Sequence, residues 1–92
     1  MGVTLDGFLR CASEDEAARV RAALPLHVRL TRAEPGCLRF DVTPTDDPLV
    51  WTVSEEFIDP AAFKAHQARA GASDWAQATQ GIARDYSIKG MP

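Results

Sequence analysis

Three side chains in the second half of the chain, His66, Arg84 and Tyr86, are of types that could together remove a proton from a small aromatic molecule and stabilise the negative charge that forms. An imidazole with an ordinary pKa of about 6.5 can accept a phenolic proton at neutral pH, which leaves an electron-rich phenolate or enolate. His66 is the predicted base, because it is one of only two histidines and follows Phe63 at helical spacing. Arg84 and Tyr86 are predicted to stabilise the developing negative charge.

A ring-shaped substrate would also need aromatic contacts and a polar partner for the base. The expected ring contacts are Trp51, Phe40, Phe63 and Trp75. Glu55 and Glu56 are adjacent on a predicted strand, and because side chains alternate along a strand only one of them can face a pocket on the helix side. An inward Glu55 would contact the substrate, and a pair with His66 would raise the basicity of the imidazole.

Each of these residues has a structural alternative. His66 is also compatible with a buried histidine hydrogen-bonded to a backbone group or to Glu55, and Glu55 with a carboxylate that anchors a loop. Arg84 fits a surface ion pair, while Phe40 and Phe63 fit plain core positions. The sequence therefore leaves a second class of function open, a non-catalytic ligand-binding or accessory protein that uses the same pocket.

Size and charge exclude several broad classes of protein. The 92 residues form one domain, 1–92, with no room for a second. Ten Lys+Arg against 13 Asp+Glu give a net charge of −3, and the basic residues are scattered, so we expect no nucleic-acid partner. No apolar run reaches the length of about 20 residues that spans a bilayer, and the first residues do not resemble a signal peptide. We expect a cytoplasmic protein with no membrane partner.

The cysteines and histidines do not form a metal site at sequence level. Cys11 and Cys37 lack the C-x-x-C spacing of zinc and thioredoxin-like sites, and we expect both to be reduced and buried. There is no H-x-x-x-H motif and no glycine-rich phosphate loop. We therefore predict neither a metal nor another cofactor.

The first half of the chain predicts a strand followed by a helix. Alternation of apolar and polar residues indicates a strand over about 3–11, with the odd positions inward. Ser13 begins a helix with a capping box that is completed by Glu16. Pro25 removes an amide donor, so we expect a kink or a break near Leu24 and a second helical portion over 26–33. His27 is expected to point outward or toward a dimer edge.

The second half predicts a hairpin, two helices and a final strand. The second strand, 37–43, alternates with Leu38, Phe40 and Val42 inward, and the third strand, 49–57, follows a turn. Asp59 caps a helix that ends near Gly71, Ser73 caps a short helix, and the last strand covers 82–89. The order β-α-β-β-α-β predicts an α+β, ferredoxin-like fold with a four-stranded antiparallel sheet and helices on one face.

The apolar positions of the strands predict a homodimer. The third strand is apolar at odd positions, the second at even positions, and the first strand has Phe8 on its even side, so we expect apolar residues on both faces of the sheet. A monomer rarely exposes a large contiguous apolar surface. We therefore expect two copies to pack together through their sheet faces.

Two motifs in this order resemble the antibiotic-biosynthesis monooxygenase-like family. Residues 32–42, RAEPGCLRFDV, look like its R-x-E-P-G-C-x-x-(F/Y)-x-(V/L) segment. Residues 55–66, EEFIDPAAFKAH, resemble its E-x-(F/W) strand end followed by A-(F/L)-x-x-H on the next helix. With the predicted element order, the resemblance covers nearly the whole chain.

The resemblance implies a homodimer whose paired sheets form a dimeric α+β barrel, with a pocket between helices and sheet in each subunit. It also implies cofactor-independent oxygenation, by O₂, of a small aromatic, quinol or polyketide-like substrate. The haem-degrading branch of the superfamily is not favoured, because the strand-one asparagine and the helix tryptophan used there find no clear match. Because the shared motifs lie at turns and core positions, they specify the fold more strongly than the chemistry.

Overall fold

The computed structural model describes residues 2–92, which form one antiparallel sheet with helices on one face. The elements in chain order are β1 (Val3–Arg10), α1 (Glu14–Arg32), β2 (Cys37–Pro44), β3 (Val50–Phe57), α2 (Pro60–Gly71), α3 (Asp74–Ala78) and β4 (Ala83–Lys89). The strands lie in the order β2-β3-β1-β4, and each neighbouring pair is antiparallel. The predicted ferredoxin-like α+β fold is confirmed.

The core lies between the sheet and the helices. Val3, Leu5 and Leu9 of β1 are buried, whereas the intervening even residues are partly or fully exposed, as the alternation predicted. Phe57 pairs with Val3 in the sheet register and is fully buried. Cys11 is buried, Cys37 is half-buried, and both thiols are free.

Helix α1 runs unbroken through Pro25, so the expected break near Leu24 is wrong. Because Pro25 has no amide hydrogen, the carbonyl of Arg21 lacks its usual hydrogen bond within the helix. Both residues are exposed, so water can donate to that carbonyl instead. At the helix start, the Ser13 hydroxyl accepts the Glu16 amide at 3.2 Å. The Glu16 carboxylate reaches back to the amide of Ala12 rather than that of Ser13.

A bulge in β2 changes which face its side chains occupy. The register shifts between Cys37 and Arg39, and Leu38 is 60% exposed, so its predicted inward position is wrong. Beyond the bulge, Phe40 pairs with Glu55 and Val42 pairs with Val53. An extra residue reverses the parity of a strand, and here it places the even residues of β2 on the same face as the odd residues of β3.

The outer face of the sheet is therefore mainly polar, and the expectation of apolar residues on both faces is wrong. Trp51, Val53 and Phe57 all point toward the helices and are buried. On the opposite face, Arg39 forms an ion pair with Glu56 at 2.8 Å.

A tight turn holds the end of α1 against α2. Gly36 has a φ of +86°, and the nearest atom to a Cβ at this position would be the Ala62 side chain at 2.7 Å. Only glycine combines this backbone conformation with such a close approach. Helix α2 begins at its predicted cap, where Asp59 accepts the Ala62 amide at 2.8 Å. The turn that contains Glu34 is thus fixed beside the helix that carries His66.

Candidate active site

A cavity of about 190 Å³ lies between the inner face of the sheet and the helices. Six of the eight residues predicted for the site line it: Phe40, Glu55, His66, Trp75, Arg84 and Tyr86. The remaining two, Trp51 and Phe63, do not line it. Trp51 is a buried core residue of β3, and the Phe63 ring packs edge-on against Phe57 at 5.7 Å between centroids. Both are therefore core residues rather than cavity residues.

His66 is held in one orientation by a buried chain of charged groups. Its Nδ1 lies 2.8 Å from Oε1 of Glu34, and the other oxygen of that carboxylate accepts from Nε of Arg69. Arg69 also donates to the Thr31 hydroxyl at 2.8 Å. A carboxylate can only accept, so Nδ1 carries the proton and Nε2 of neutral His66 is left as an acceptor. This is the arrangement that a general base requires.

Glu55 lies on the other side of that acceptor. The distance from His66 Nε2 to Glu55 Oε1 is 3.8 Å, too long for a hydrogen bond, and Oε1 is buried without a partner. Burial, reinforced by the carboxylates of Glu34 and Asp6, raises the pKa of Glu55 to about 7. Burial also lowers the pKa of His66, against the opposing effect of its bond to Glu34. Below pH about 7 the Glu55 carboxyl is therefore mainly protonated, and burial favours a neutral His66 imidazole on the other side of the gap.

His27 is the second histidine of the cavity, and its expected outward position is wrong. The side chain is 5% exposed. Its ring stacks on Trp75, with centroids 4.6 Å apart and planes 2° apart, and meets the edge of Phe40 at 5.3 Å. Burial and the nearby positive groups, Arg69 first, lower the pKa of His27 to about 3. The imidazole is therefore neutral at physiological pH, and its Nδ1 has no hydrogen-bond partner.

Arg84 and Tyr86 enter the cavity from β4, on one face of the strand as predicted. The Arg84 guanidinium donates to the Thr79 hydroxyl at 2.7 Å and to the Ile82 carbonyl at 2.9 Å, so it is anchored by the α3–β4 turn rather than by a surface ion pair. Burial raises the pKa of Tyr86 to about 12. The phenol is therefore a hydrogen-bond donor, not a base, across the physiological range.

Sequence reasoning missed Glu34, Arg69 and His27. Glu34 is 32 positions from His66, and nothing in local spacing connects them. His27 had a usable signal: with α1 unbroken, the inward stripe of Ala17, Val20 and Leu24 continues at helical spacing to His27 and Thr31.

The described residues were also searched for a metal-binding cluster and for a membrane-spanning helix. Within residues 2–92, no three His, Cys, Asp or Glu side chains come together in a way that could hold a metal ion. None of the helices over that range combines the length and apolar character needed to cross a membrane.

Together, the fold and the cavity define a small α+β protein with a buried histidine–carboxylate site. The antibiotic biosynthesis monooxygenase family model matches residues 3–78, and the chain belongs to this family. A search of curated proteins finds no match.

Several solved structures share the fold. A candidate antibiotic biosynthesis monooxygenase from Nitrosomonas europaea has 24% identity and a TM-score of 0.80, over 99% of this chain and 98% of that one. SnoaB from Streptomyces nogalater, described as a cofactor-independent oxygenase, has 15% identity and a TM-score of 0.78, over 99% and 93%. A protein from Deinococcus radiodurans has 22% identity and a TM-score of 0.77, over 100% and 93%. At these identities the likeness establishes the fold.

Proposed function

We propose that the protein is a cofactor-independent monooxygenase that uses O₂ to oxidise a small phenolic or quinol-type ring. The observation that carries this proposal is the 3.8 Å gap between His66 Nε2 and Glu55 Oε1 at the cavity. A hydroxyl group in the cavity beside these two atoms could lie within hydrogen-bond distance of both, donate its proton to the imidazole and accept a hydrogen bond from the protonated carboxyl. The family membership and the described activity of SnoaB support the same class of reaction.

In the proposed reaction, His66 removes the hydroxyl proton and Glu34 stabilises the imidazolium that forms. Glu55 donates to the phenolate oxygen, and Arg84 and Tyr86 are placed to stabilise negative charge as electrons pass from the ring to O₂. For a quinol the balance is quinol plus O₂ giving hydroxyquinone plus water. One oxygen atom replaces a ring hydrogen, the other leaves as water, and the substrate supplies all four electrons.

Oxygen uptake with a panel of quinols and anthrones tests the proposal. We expect turnover by the unmodified protein, and a loss on the order of a hundredfold or more in His66→Ala, since a positioned general base contributes roughly that factor. Lys64→Ala, an exposed change on the same helix, is the control and should keep full activity. Glu34→Gln should also lower the rate, because the amide cannot stabilise the imidazolium.

The dependence of kcat/KM on pH gives a second readout of the same site. The rate should rise as His66 loses its proton and fall above pH about 7, where Glu55 ionises. Glu55→Gln keeps a hydrogen-bond donor and should remove the alkaline decrease. Turnover that is indifferent to His66→Ala would remove the proposed base, and saturable binding without turnover would favour the non-catalytic, ligand-binding alternative.

A further inference from the structure

A second hollow lies directly behind the cavity, on the helix side of the molecule. It is an open groove of about 570 Å³ between α1 and the connection from α2 to α3. Its α1 wall consists of small and aliphatic side chains, Ala22, Ala23, Leu26 and Leu30. The two leucines are 41% and 43% exposed, which is high for large apolar residues.

The groove and the cavity share one wall. His27 and Trp75 line both spaces, and their rings are stacked face to face. Among residues 2–92, no group forms a hydrogen bond with His27 Nδ1, and Trp75 is a half-buried residue on the five-residue helix α3. The wall is thus two flat rings held by stacking, and a rotation of the indole side chain would join the two spaces.

We propose that the ligand of this protein is elongated, with its hydroxylated ring in the cavity at Glu55 and His66 and an apolar substituent that passes the His27–Trp75 wall into the groove. This inference rests on the proposed function for the ring end and adds the class of substrate, a phenol or quinol that carries an alkyl or comparable apolar chain.

The volumes and the chemistry of the two spaces support this assignment. The cavity, at about 190 Å³, is of a size for a single substituted ring and carries the polar groups. The larger groove offers an apolar α1 wall, and its main cation, Arg69, is already bonded to Glu34 and Thr31. A polar substituent would find few free partners along the α1 wall, whereas a hydrocarbon chain would bury the exposed faces of Leu26 and Leu30.

Calorimetric binding of a series of 4-alkylphenols, from phenol to 4-hexylphenol, to the full chain tests the inference. Burying one methylene tightens binding about fourfold. We therefore expect Kd to fall by about that factor for each added methylene in the unmodified protein. Ala22→Phe fills the groove and should abolish this dependence on chain length. Ala18→Phe, at an exposed alanine one turn earlier on the same helix and outside the groove, is the matched control and should preserve it.

The outcomes separate the two proposals. Equal affinity across the series in the unmodified protein, no binding of any member, or an unaltered series in Ala22→Phe would each overturn the inference. Chain-dependent binding that is unaffected by His66→Ala would also overturn it, because the chain would then bind without the ring in the cavity. Failure of oxygen uptake with all quinols would overturn the proposed oxygenase while leaving the chain-length result to stand by itself.

Discussion

Glu55 and His27 line the same cavity, and burial drives both toward their neutral forms. For the carboxyl this means a raised pKa of about 7, and for the imidazole a lowered pKa of about 3. Burial disfavours a charge whatever its sign, so the cavity favours the neutral form of its carboxyl and of its imidazole. In the proposed reaction, a hydroxyl group that enters would meet one donor, Glu55, and one acceptor, His66, instead of an existing ion pair.

The raised pKa of Glu55 has a consequence for stability that can be measured. Between pH about 4.5 and 7 the folded chain keeps a proton on Glu55 that the unfolded chain releases, so this group lowers the free energy of unfolding as pH rises. His27 acts in the opposite direction between about 3 and 6.5. Removing the carboxyl by Glu55→Gln should therefore stabilise the protein relative to the unmodified chain, increasingly from pH 4.5 to 7, by up to about 3 kcal/mol.

Urea unfolding at a series of pH values measures this difference. Ser54→Ala, the neighbouring position on β3 with no titratable group, is the control, and its difference from the unmodified chain should stay constant with pH. A Glu55→Gln difference that is equally constant would contradict the raised pKa and, with it, the role of the protonated carboxyl as a donor.

At the scale of the elements, periodicity predicted the number, type and order of the helices and strands, but not every face. In β1, the alternation of apolar and polar residues was sufficient to predict which side chains are buried, because no extra residue interrupts the strand. In β2, one extra residue at Leu38 reverses the parity, and a bulge has no signature in a pattern of period two. In α1, a break was expected near Pro25, so the helical spacing of the inward residues was not continued beyond it. His27 was therefore predicted on the wrong side of the helix.

The candidate site shows the same limit. The residues brought by single elements, such as Glu55 on β3 and His66 on α2, were predicted from their own patterns, and both line the cavity. Their actual partners were not predicted, because Glu34 reaches His66 only through the turn at Gly36. A contact between residues 32 positions apart depends on how the elements pack, and the local spacing of residues does not predict it.

That turn provides a test at the same scale. Gly36→Ala places a Cβ 2.7 Å from the Ala62 side chain, whereas Gly81→Ala, at nearly the same φ of +85°, meets nothing within 4 Å. Both changes force a positive φ on alanine, which costs roughly 1–2 kcal/mol. Gly36→Ala should cost more in urea unfolding than Gly81→Ala, and it alone should lower oxygenation, because it displaces Glu34 from His66. Equal losses of stability and of activity in the two variants would show that the close approach of Gly36 to α2 does not position Glu34 beside His66.

At the scale of the whole molecule, one face of the sheet has no helix over it. Its two central strands present Thr4, Asp6 and Phe8 from β1 and Thr52 and Ser54 from β3. Charged pairs lie toward its flanks, with Arg10 near Asp85 at 3.5 Å on one side and Arg39 with Glu56 on the other. An aromatic ring among small side chains at the centre, with ion pairs toward the rim, is typical of protein interfaces, although Asp6 is an exception at the centre.

We propose that this face forms the interface of a homodimer, as members of the family commonly dimerise. The face has no broad apolar surface, because the bulge in β2 turns the even residues of that strand inward. Phe8 is 37% exposed on it, beneath the guanidinium of Arg10, which lies 4.6 Å from the ring centroid. The ring is an aromatic side chain at the centre of the face, so a single change there should have a large effect on association.

Sedimentation velocity measures that effect directly. The unmodified protein should sediment with the mass of two chains, and Phe8→Glu should shift it to the mass of one, because the variant loses the aromatic contact and would have to bury a charged group at the centre of the interface. Ile88→Glu is the matched control: Ile88 is also an exposed apolar residue, at 47%, but its register with Leu5 places it on the opposite face of the edge strand β4. If only Ile88→Glu dissociates the dimer, the interface lies at the β4 edge instead. If the unmodified protein has the mass of one chain at every concentration, it is not a dimer. Because the cavity lies on the face of the sheet opposite Phe8, Phe8→Glu should release single chains that still bind 4-alkylphenols.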